Sequence, residues 1–281
     1  MNKIKNILDI FLLLIIFLLC LGVFSQESHF SKSENIDKIN FREPSGIAYH
    51  AERKTLFVVG DEGDICEIKT NGDLIGQKNY GKDCDFEGIT YNPATGLLYV
   101  VVETKESIQE VDPNSLKLLR SFSIDKSFQN KKWDFSLEGI TFVPNPKHSE
   151  GGTFFISNQS KFLDKEKKPS AIFEIEIPLK SKEKENKAKV LRSFSIGAID
   201  LADMYYDQKT NNLFVISDTE DKLFETTLEG KVIFSQDLIG SDQEGITFDT
   251  EGNFYIAQDS GGILKMKILP KNNQKTSSSH H

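Results

Sequence analysis

Cysteine is scarce in this chain: three in 281 residues. One of them, Cys20, lies inside an N-terminal apolar run. The other two, Cys66 and Cys84, have no Cys-x-x-Cys spacing and no nearby histidine, which argues against a thiolate zinc site. In an oxidising compartment they form either one disulfide or two separate thiols, and spacing alone leaves both open. Positive charge is also short. Lys and Arg number 34 against 42 Asp and Glu, a net −8 at pH 7. No basic stripe with interleaved aromatics occurs, so a nucleic-acid partner is not expected. Acidity of this kind suits cations, cationic substrates or plain solubility.

The apolar run itself reads as an address, not as part of the fold. Lys3 and Lys5 precede Ile10 to Leu21, and Val23-Phe24-Ser25 places small residues at the −3 and −1 positions. Residues 1–25 are therefore expected to be a signal peptide cleaved before Gln26, giving an exported protein, periplasmic or secreted. A retained membrane anchor is one alternative. Lipidation at Cys20 is another, although Leu18 and Leu19 put bulk where lipoprotein signals carry small residues. Loss of the first 25 residues leaves the body one charge more negative.

What the remaining chain has in abundance is repetition. Phe86-Glu87-Gly88-Ile89-Thr90-Tyr91 returns as Leu137-Glu138-Gly139-Ile140-Thr141-Phe142 and as Gln243-Glu244-Gly245-Ile246-Thr247-Phe248. Pro44-Ser45-Gly46-Ile47-Ala48-Tyr49 and Leu201-Ala202-Asp203-Met204-Tyr205-Tyr206 are weaker copies. A second apolar run follows each, for example Leu56-Phe57-Val58-Val59 and Leu213-Phe214-Val215-Ile216. A β-rich unit recurring at roughly 40–50 residues points to propeller blades. The expected fold over residues 33–270 is all-β, a five-bladed β-propeller of four-stranded antiparallel blades.

The fifth unit ends at Pro270 without a fourth strand, and a polar tail, 271–281, follows. The stretch Asn35 to Phe41 is expected to supply that strand and close the ring, because an open sheet edge is otherwise left unpaired. Three insertions, Asp125 to Asp134 with the single Trp133, Ser160 to Ser170, and Pro178 to Lys189, fall between strands. The last two are rich in Lys and Glu and read as solvated loops.

Equivalent positions at the entry of each first strand form rings about the propeller axis. One ring carries Glu87, Glu138 and Glu244, with Ser45 and Ala202 in the other units. Two residues earlier stand Glu43, Asp85, Ser136, Asp200 and Asp242, and the exit of each second strand carries Asp61, Glu103, Gln159, Asp218 and Asp259. Three converging glutamates push one another toward protonation unless a cation lies between them. An all-oxygen set of flexible geometry suits Ca²⁺ better than Mg²⁺, and the lack of His or Cys in either ring disfavours zinc. Asp200 can replace the glutamate missing from the fourth unit. The alternative is that each glutamate only caps backbone N–H groups of its neighbour. The strand-exit acids read first as turn formers, with a ligand role as the alternative.

With these segments in view, the chain resembles the SdiA-regulated (YjiK-like) family from about Ile39 to Met266. The resemblance rests on Pro44 to Tyr49, Asp85 to Tyr91, Leu137 to Thr141 and Asp242 to Ile246. It implies an exported five-bladed propeller with channel Ca²⁺ held by Glu87, Glu138, Glu244 and Asp200. Ala202-Asp203-Met204 departs from the Glu-Gly-Ile pattern. Beside surface adhesion or scaffolding, which rests on fold analogy alone, two functions remain open. One is a non-catalytic envelope protein, monomeric, that binds a protein or small-molecule ligand. The other is a Ca²⁺-dependent hydrolase of the lactonase or esterase type. Against the second, neither His50 nor His148 falls at the predicted channel entrance; an acid such as Asp218 would have to be the base.

Overall fold

Apolar–polar alternation with many β-branched and aromatic side chains makes strands of the repeated segments. The computed structural model describes residues 30–39, 42–125, 136–164 and 169–268. The signal segment, Trp133 with its insertion, and the polar tail lie outside the described residues. Lys32–Ile268 form one compact unit, and of a second, Met1–Ser31 with Leu269–His281, the description covers Phe30 and Ser31 alone. No helix among the described residues is long and apolar enough to cross a membrane.

The strands run in order from β1 (Glu34–Asn35). The first set of four is β2 (Pro44–His50), β3 (Thr55–Gly60), β4 (Asp64–Lys69) and β5 (Leu74–Asn79). The second is β6 (Phe86–Asn92), β7 (Leu97–Val102), β8 (Ser107–Asp112) and β9 (Lys117–Ile124). The third is β10 (Leu137–Pro144), β11 (Gly152–Asn158), β12 (Ile172–Glu176) and β13 (Glu185–Phe194). The fourth is β14 (Leu201–Asp207), β15 (Asn212–Ser217), β16 (Lys222–Thr227) and β17 (Val232–Asp237), and β18 (Gln243–Phe248), β19 (Asn253–Gln258) and β20 (Gly262–Lys267) follow. Within each set neighbours pair antiparallel, and β1 pairs antiparallel with β20 through Glu34↔Lys265 and Asn35↔Leu264. The pairing is shorter than Asn35 to Phe41 would allow, and Ile36 N–H adds a bond to Ile263 O at 2.8 Å.

The first strands lie side by side in the order β2, β6, β10, β14, β18, and β18 in turn lies beside β2. The repeated Glu-Gly-Ile-Thr sequence explains how. Each first strand has a register shift at the position of the glutamate or its Ser45 or Ala202 counterpart. A bulge there re-aims the side chain. The next residue is glycine because the backbones meet at that level: a Cβ on Gly139 would stand 2.4 Å from the Cα of Asp203, and one on Gly245 2.9 Å from the Cα of Gly46. Two residues on, the threonine hydroxyl accepts an N–H from the neighbouring first strand. Thr90 takes that of Phe142 at 3.3 Å, Thr141 that of Tyr206 at 3.0 Å and Thr247 that of Tyr49 at 3.1 Å.

Asp203 stands where four units have glycine, and its carboxylate occupies the space toward β18, accepting the Ile246 N–H at 2.8 Å. Burial raises this carboxyl well above the ordinary range, and backbone N–H groups of Ile246, Met204 and Ile140 oppose the rise. The departure from the pattern is therefore a structural link, not a gap.

Apolar side chains fill the layers between successive sheets. Val59, Phe57 and Ile65 pack on Phe86, Ile89 and Val100, while Ile47, Leu56 and Val58 pack on Tyr255, Ala257 and Ile263. Cys66 and Cys84 sit in two different layers as buried free thiols, so no disulfide joins them. Buried carboxylates of the third strands are paired instead of left bare. Arg53 forks onto Glu67 at 2.6 and 2.7 Å, Arg120 forks onto Glu110, and Arg192 meets Glu174 at 2.5 Å. Arg120 and Arg192 belong to the duplicated Leu-Arg-Ser-Phe-Ser-Ile segments, and each guanidinium also lies 5.2 Å from its own phenylalanine, Phe122 or Phe194.

One expectation needs correcting. The Lys- and Glu-rich insertion is not wholly a solvated loop: β13 begins at Glu185, and Glu185–Ala188 pair in parallel with Ser121–Ile124 of β9. The second and third sets thereby join into one eight-stranded sheet. Backbone bonding needs no apolar sequence, and Arg120 holds the preceding turn through Leu179 O and Ser181 O at 3.1 and 2.6 Å.

Candidate metal centre

The bulge in each first strand and the exit of each second strand meet at one rim. Glu103 N–H bonds Asp85 O at 3.0 Å, Gln159 N–H bonds Ser136 O at 2.8 Å, Asp218 N–H bonds Asp200 O at 3.1 Å and Asp259 N–H bonds Asp242 O at 2.9 Å. This repeated clasp puts the two acidic columns of the sequence next to each other. Asp200 and Asp242 hold it with left-handed backbone, φ of 53° and 59°. Asp visits that region more readily than most residues.

Among the described residues, Asp61, Asp85 and Glu87 bring one carboxylate oxygen each within 4.8 Å of one another. Ser45 donates its hydroxyl to Asp61 in a short bond. The other expected ligands share the field of this group without joining it at that spacing. Burial first, then Glu87 and Glu244, raise the Glu138 carboxyl well above the ordinary range. Burial, then Asp61 and Asp85, do the same to Glu87. Glu244 is pushed up to about 8 by burial and by Asp218, Asp259 and Asp200. Asp200 is 3% exposed, accepts a short bond from the Thr219 hydroxyl and lies 3.8 Å from the Lys161 ammonium.

Unlike the third-strand acids, these have no cationic fork. No described residue donates a hydrogen bond to the carboxylates of Glu87, Glu138 or Glu244. Asp259 at the same rim has a buried Oδ1 without a partner, and burial with Asp61 and Glu43 lifts its carboxyl to about 6. A buried carboxylate left unpaired is costly. An orphaned oxygen and several bare, mutually repelling carboxylates are what a hard cation relieves, and every donor is oxygen. The residues fit such an ion.

Sequence reasoning named Glu87, Glu138, Glu244 and Asp200; of these Glu87 alone joins the three-carboxylate group, and Glu87, Glu244 and Asp200 act on Glu138 through their charge. It did not name Asp61, Asp85 or Asp259 as ligands. Their recurrence in columns was visible, but Asp61 and Asp259 stand at strand exits, where Asp is a common turn former. What distinguishes them is where they converge: Asp61 and Asp85 beside Glu87, and Asp259 in the field of Asp61. The two histidines lie elsewhere: His50 stacks on Tyr91 with ring centroids 3.9 Å apart, and His148 contacts Glu176 at 3.0 Å.

The profile of the SdiA-regulated family matches residues 28–261. Among solved structures, glutaminyl cyclase of Myxococcus xanthus is similar at 10% identity over 85% of this chain and 95% of that one, with a TM-score of 0.59. Virginiamycin B lyase of Staphylococcus aureus is similar at 13% identity over 86% of this chain and 75% of that one, TM-score 0.45. A protein of unknown function from Bacteroides caccae shares 13% identity over 78% of this chain and 72% of that one, TM-score 0.46. At such identities the likeness is one of fold, and it is propeller-like.

Proposed function

The chain belongs to the SdiA-regulated family, and from that premise we propose that it is an exported, Ca²⁺-binding, five-bladed β-propeller that binds a ligand or partner without catalysis. The pairing of β1 with β20 and the packing of β18 beside β2 support a ring closed by the N-terminal strand. One observation carries the metal: Asp61, Asp85 and Glu87 converge at ligand spacing while the neighbouring carboxylates of Glu138 and Glu244 accept no hydrogen bond from a described residue. Asp61, Asp85 and Glu87 would hold the ion directly, with Glu138, Glu244, Asp200 and Asp259 completing the charge around it. A bound Ca²⁺ would supply the positive charge that lets these groups ionise together, and, in the second reading below, a Lewis acid.

The test is a melting scan of the full chain in EGTA and in Ca²⁺. A ligand of the native state raises stability by about 2.7 kcal/mol at a hundredfold excess over its dissociation constant. Ca²⁺ is expected to raise the transition temperature of the native sequence and not that of Glu87→Gln. Equal melting with and without chelator would remove the metal from the reading.

A second reading, a Ca²⁺-dependent hydrolase of lactones or esters, is favoured by Asp259. Its carboxyl, held at about 6 with one oxygen unpartnered, can take a proton from water near neutral pH. Turnover of lactone or aryl-ester substrates that needs Ca²⁺ and is lost in Asp259→Asn would favour the enzyme over the binder.

A further inference from the structure

At the end of the first strands opposite the acidic rim lies a cavity of ≈ 630 Å³. All five first strands contribute to its wall. Each gives one aromatic residue at the same register, directly after the Thr position: Tyr49, Tyr91, Phe142, Tyr206 and Phe248. In the fourth unit the Thr position itself is also aromatic, Tyr205, which packs 5.0 Å from Phe248. Deeper in the wall every unit gives one buried aliphatic side chain, such as Ile47 and Met204, 1% and 2% exposed. The volume lies in the range of small-molecule sites, about 300–1,000 Å³, and so does the chemistry: an apolar wall with few polar groups.

The polar groups define the occupant. Two acids border the cavity, and both are already committed. Asp207 accepts from Thr210 Oγ1 at 2.8 Å and from the Lys209 N–H at 3.1 Å. Asp249 accepts from Asn253 Nδ2 at 2.5 Å and Tyr255 Oη at 2.9 Å. Lys209 lies on the same wall and offsets one of the two acids, so the groups bordering the cavity carry a single negative charge in excess. The oxygens of both acids already accept bonds from the protein, so a cationic guest would have to share them. The phenol groups remain, together with Gln208 and Thr250. Tyr206 donates to Asn211 at 2.8 Å, whereas the hydroxyls of Tyr49, Tyr91 and Tyr205 bond no described residue. Buried or half-buried tyrosine hydroxyls usually find a partner.

We infer that this cavity is a binding site for a neutral aromatic small molecule bearing a hydrogen-bonding oxygen. Its ring lies among the five aromatic side chains, and its oxygen meets the tyrosine hydroxyls. The inference rests on the ligand-binding part of the proposed function and is independent of the cation.

The test is a fluorescence titration of the full chain, in Ca²⁺, with N-phenyl-1-naphthylamine, a neutral aromatic probe, followed by displacement with 2-naphthol, naphthalene or benzyltrimethylammonium. Saturable 1:1 binding is expected, with 2-naphthol displacing better than naphthalene and the cation displacing least. Ala51→Trp adds bulk at an exposed position of the cavity wall; it should weaken the probe at least tenfold. Tyr205→Phe preserves volume and fold and should cost 2-naphthol several-fold while leaving the probe unchanged. Unsaturable binding, indifference to both variants, or preferred displacement by the ammonium would overturn the inference. Because the metal is scored separately by chelator melting, failure of either reading is visible without the other.

Discussion

The bare acidic rim makes a prediction about pH that runs opposite to ordinary acid denaturation. In the metal-free chain the Glu244 carboxyl is pushed up to about 8 from its ordinary 4.5, chiefly by burial, and Glu87 and Glu138 move the same way. The unfolded chain ionises these groups near their ordinary values while the fold keeps them protonated. Stability is therefore lost as pH rises past about 4.5, and the loss is complete only above about 8. At about 1.4 kcal/mol per pH unit, Glu244 alone accounts for a ceiling of about 5 kcal/mol. That is as large as the whole stability of many domains. Acids whose carboxyls are held low, such as Asp112 through Ser115 and Asn114, lose their contribution only below about pH 4, outside this window. Urea unfolding at pH 5, 6.5 and 8 in EGTA should show a falling midpoint, and the same series in Ca²⁺ should be nearly flat. A midpoint in EGTA that stays level or climbs from pH 5 to 8 would refute the reasoning, because the rim acids would then be ionised in the fold without help.

Three further outcomes follow from the packing. Gly139→Ala puts a methyl 2.4 Å from the Asp203 Cα, and backbone cannot swing aside; urea unfolding should show a loss of about 3 kcal/mol, the upper end of overpacking costs, and a neutral result would deny the close approach of β10 and β14. Arg120→Ala strips the fork from Glu110, whose side chain is 3% exposed, and should cost about 3 kcal/mol by the same measurement, whereas a Lys69→Ala control at an exposed pair should cost under about 1 kcal/mol. Cys66 and Cys84 are buried thiols, and burial raises that of Cys66; a thiol reagent should titrate both only in denaturant, and a denatured, unreduced chain showing none would mean a disulfide.

The repeat made most of the fold legible. Glu-Gly-Ile-Thr can be read chemically position by position: the bulge turns the glutamate, the glycine admits the neighbouring backbone, and the threonine bonds across to the next strand. Asp203 was legible as a departure but not as a link, since its role depends on which strand its side chain faces. The insertion before Val190 misled because charge-rich sequence signals solvent. Parallel pairing through Glu185–Ala188 uses only backbone, and Ala188, fully buried, was the one clue. At the rim, the glutamates were visible because they recur beside glycine. Asp61 and Asp85 were hidden because they meet across neighbouring units, and residue type carries no trace of which strand exit faces which strand entry. The aromatic column after each threonine was written openly in the sequence, yet only the ring arrangement turns five separate aromatics into one cavity.

The central claim is that the rim acids are a cation site and not a set of backbone caps. Calorimetric titration of the metal-free chain with CaCl₂ at pH 7.5 tests it most directly. The account predicts saturable heat at one ion per chain, proton release on binding as the raised carboxyls ionise, and loss of that signal in Glu87→Gln. No heat above dilution, or an unchanged isotherm in Glu87→Gln, would contradict it.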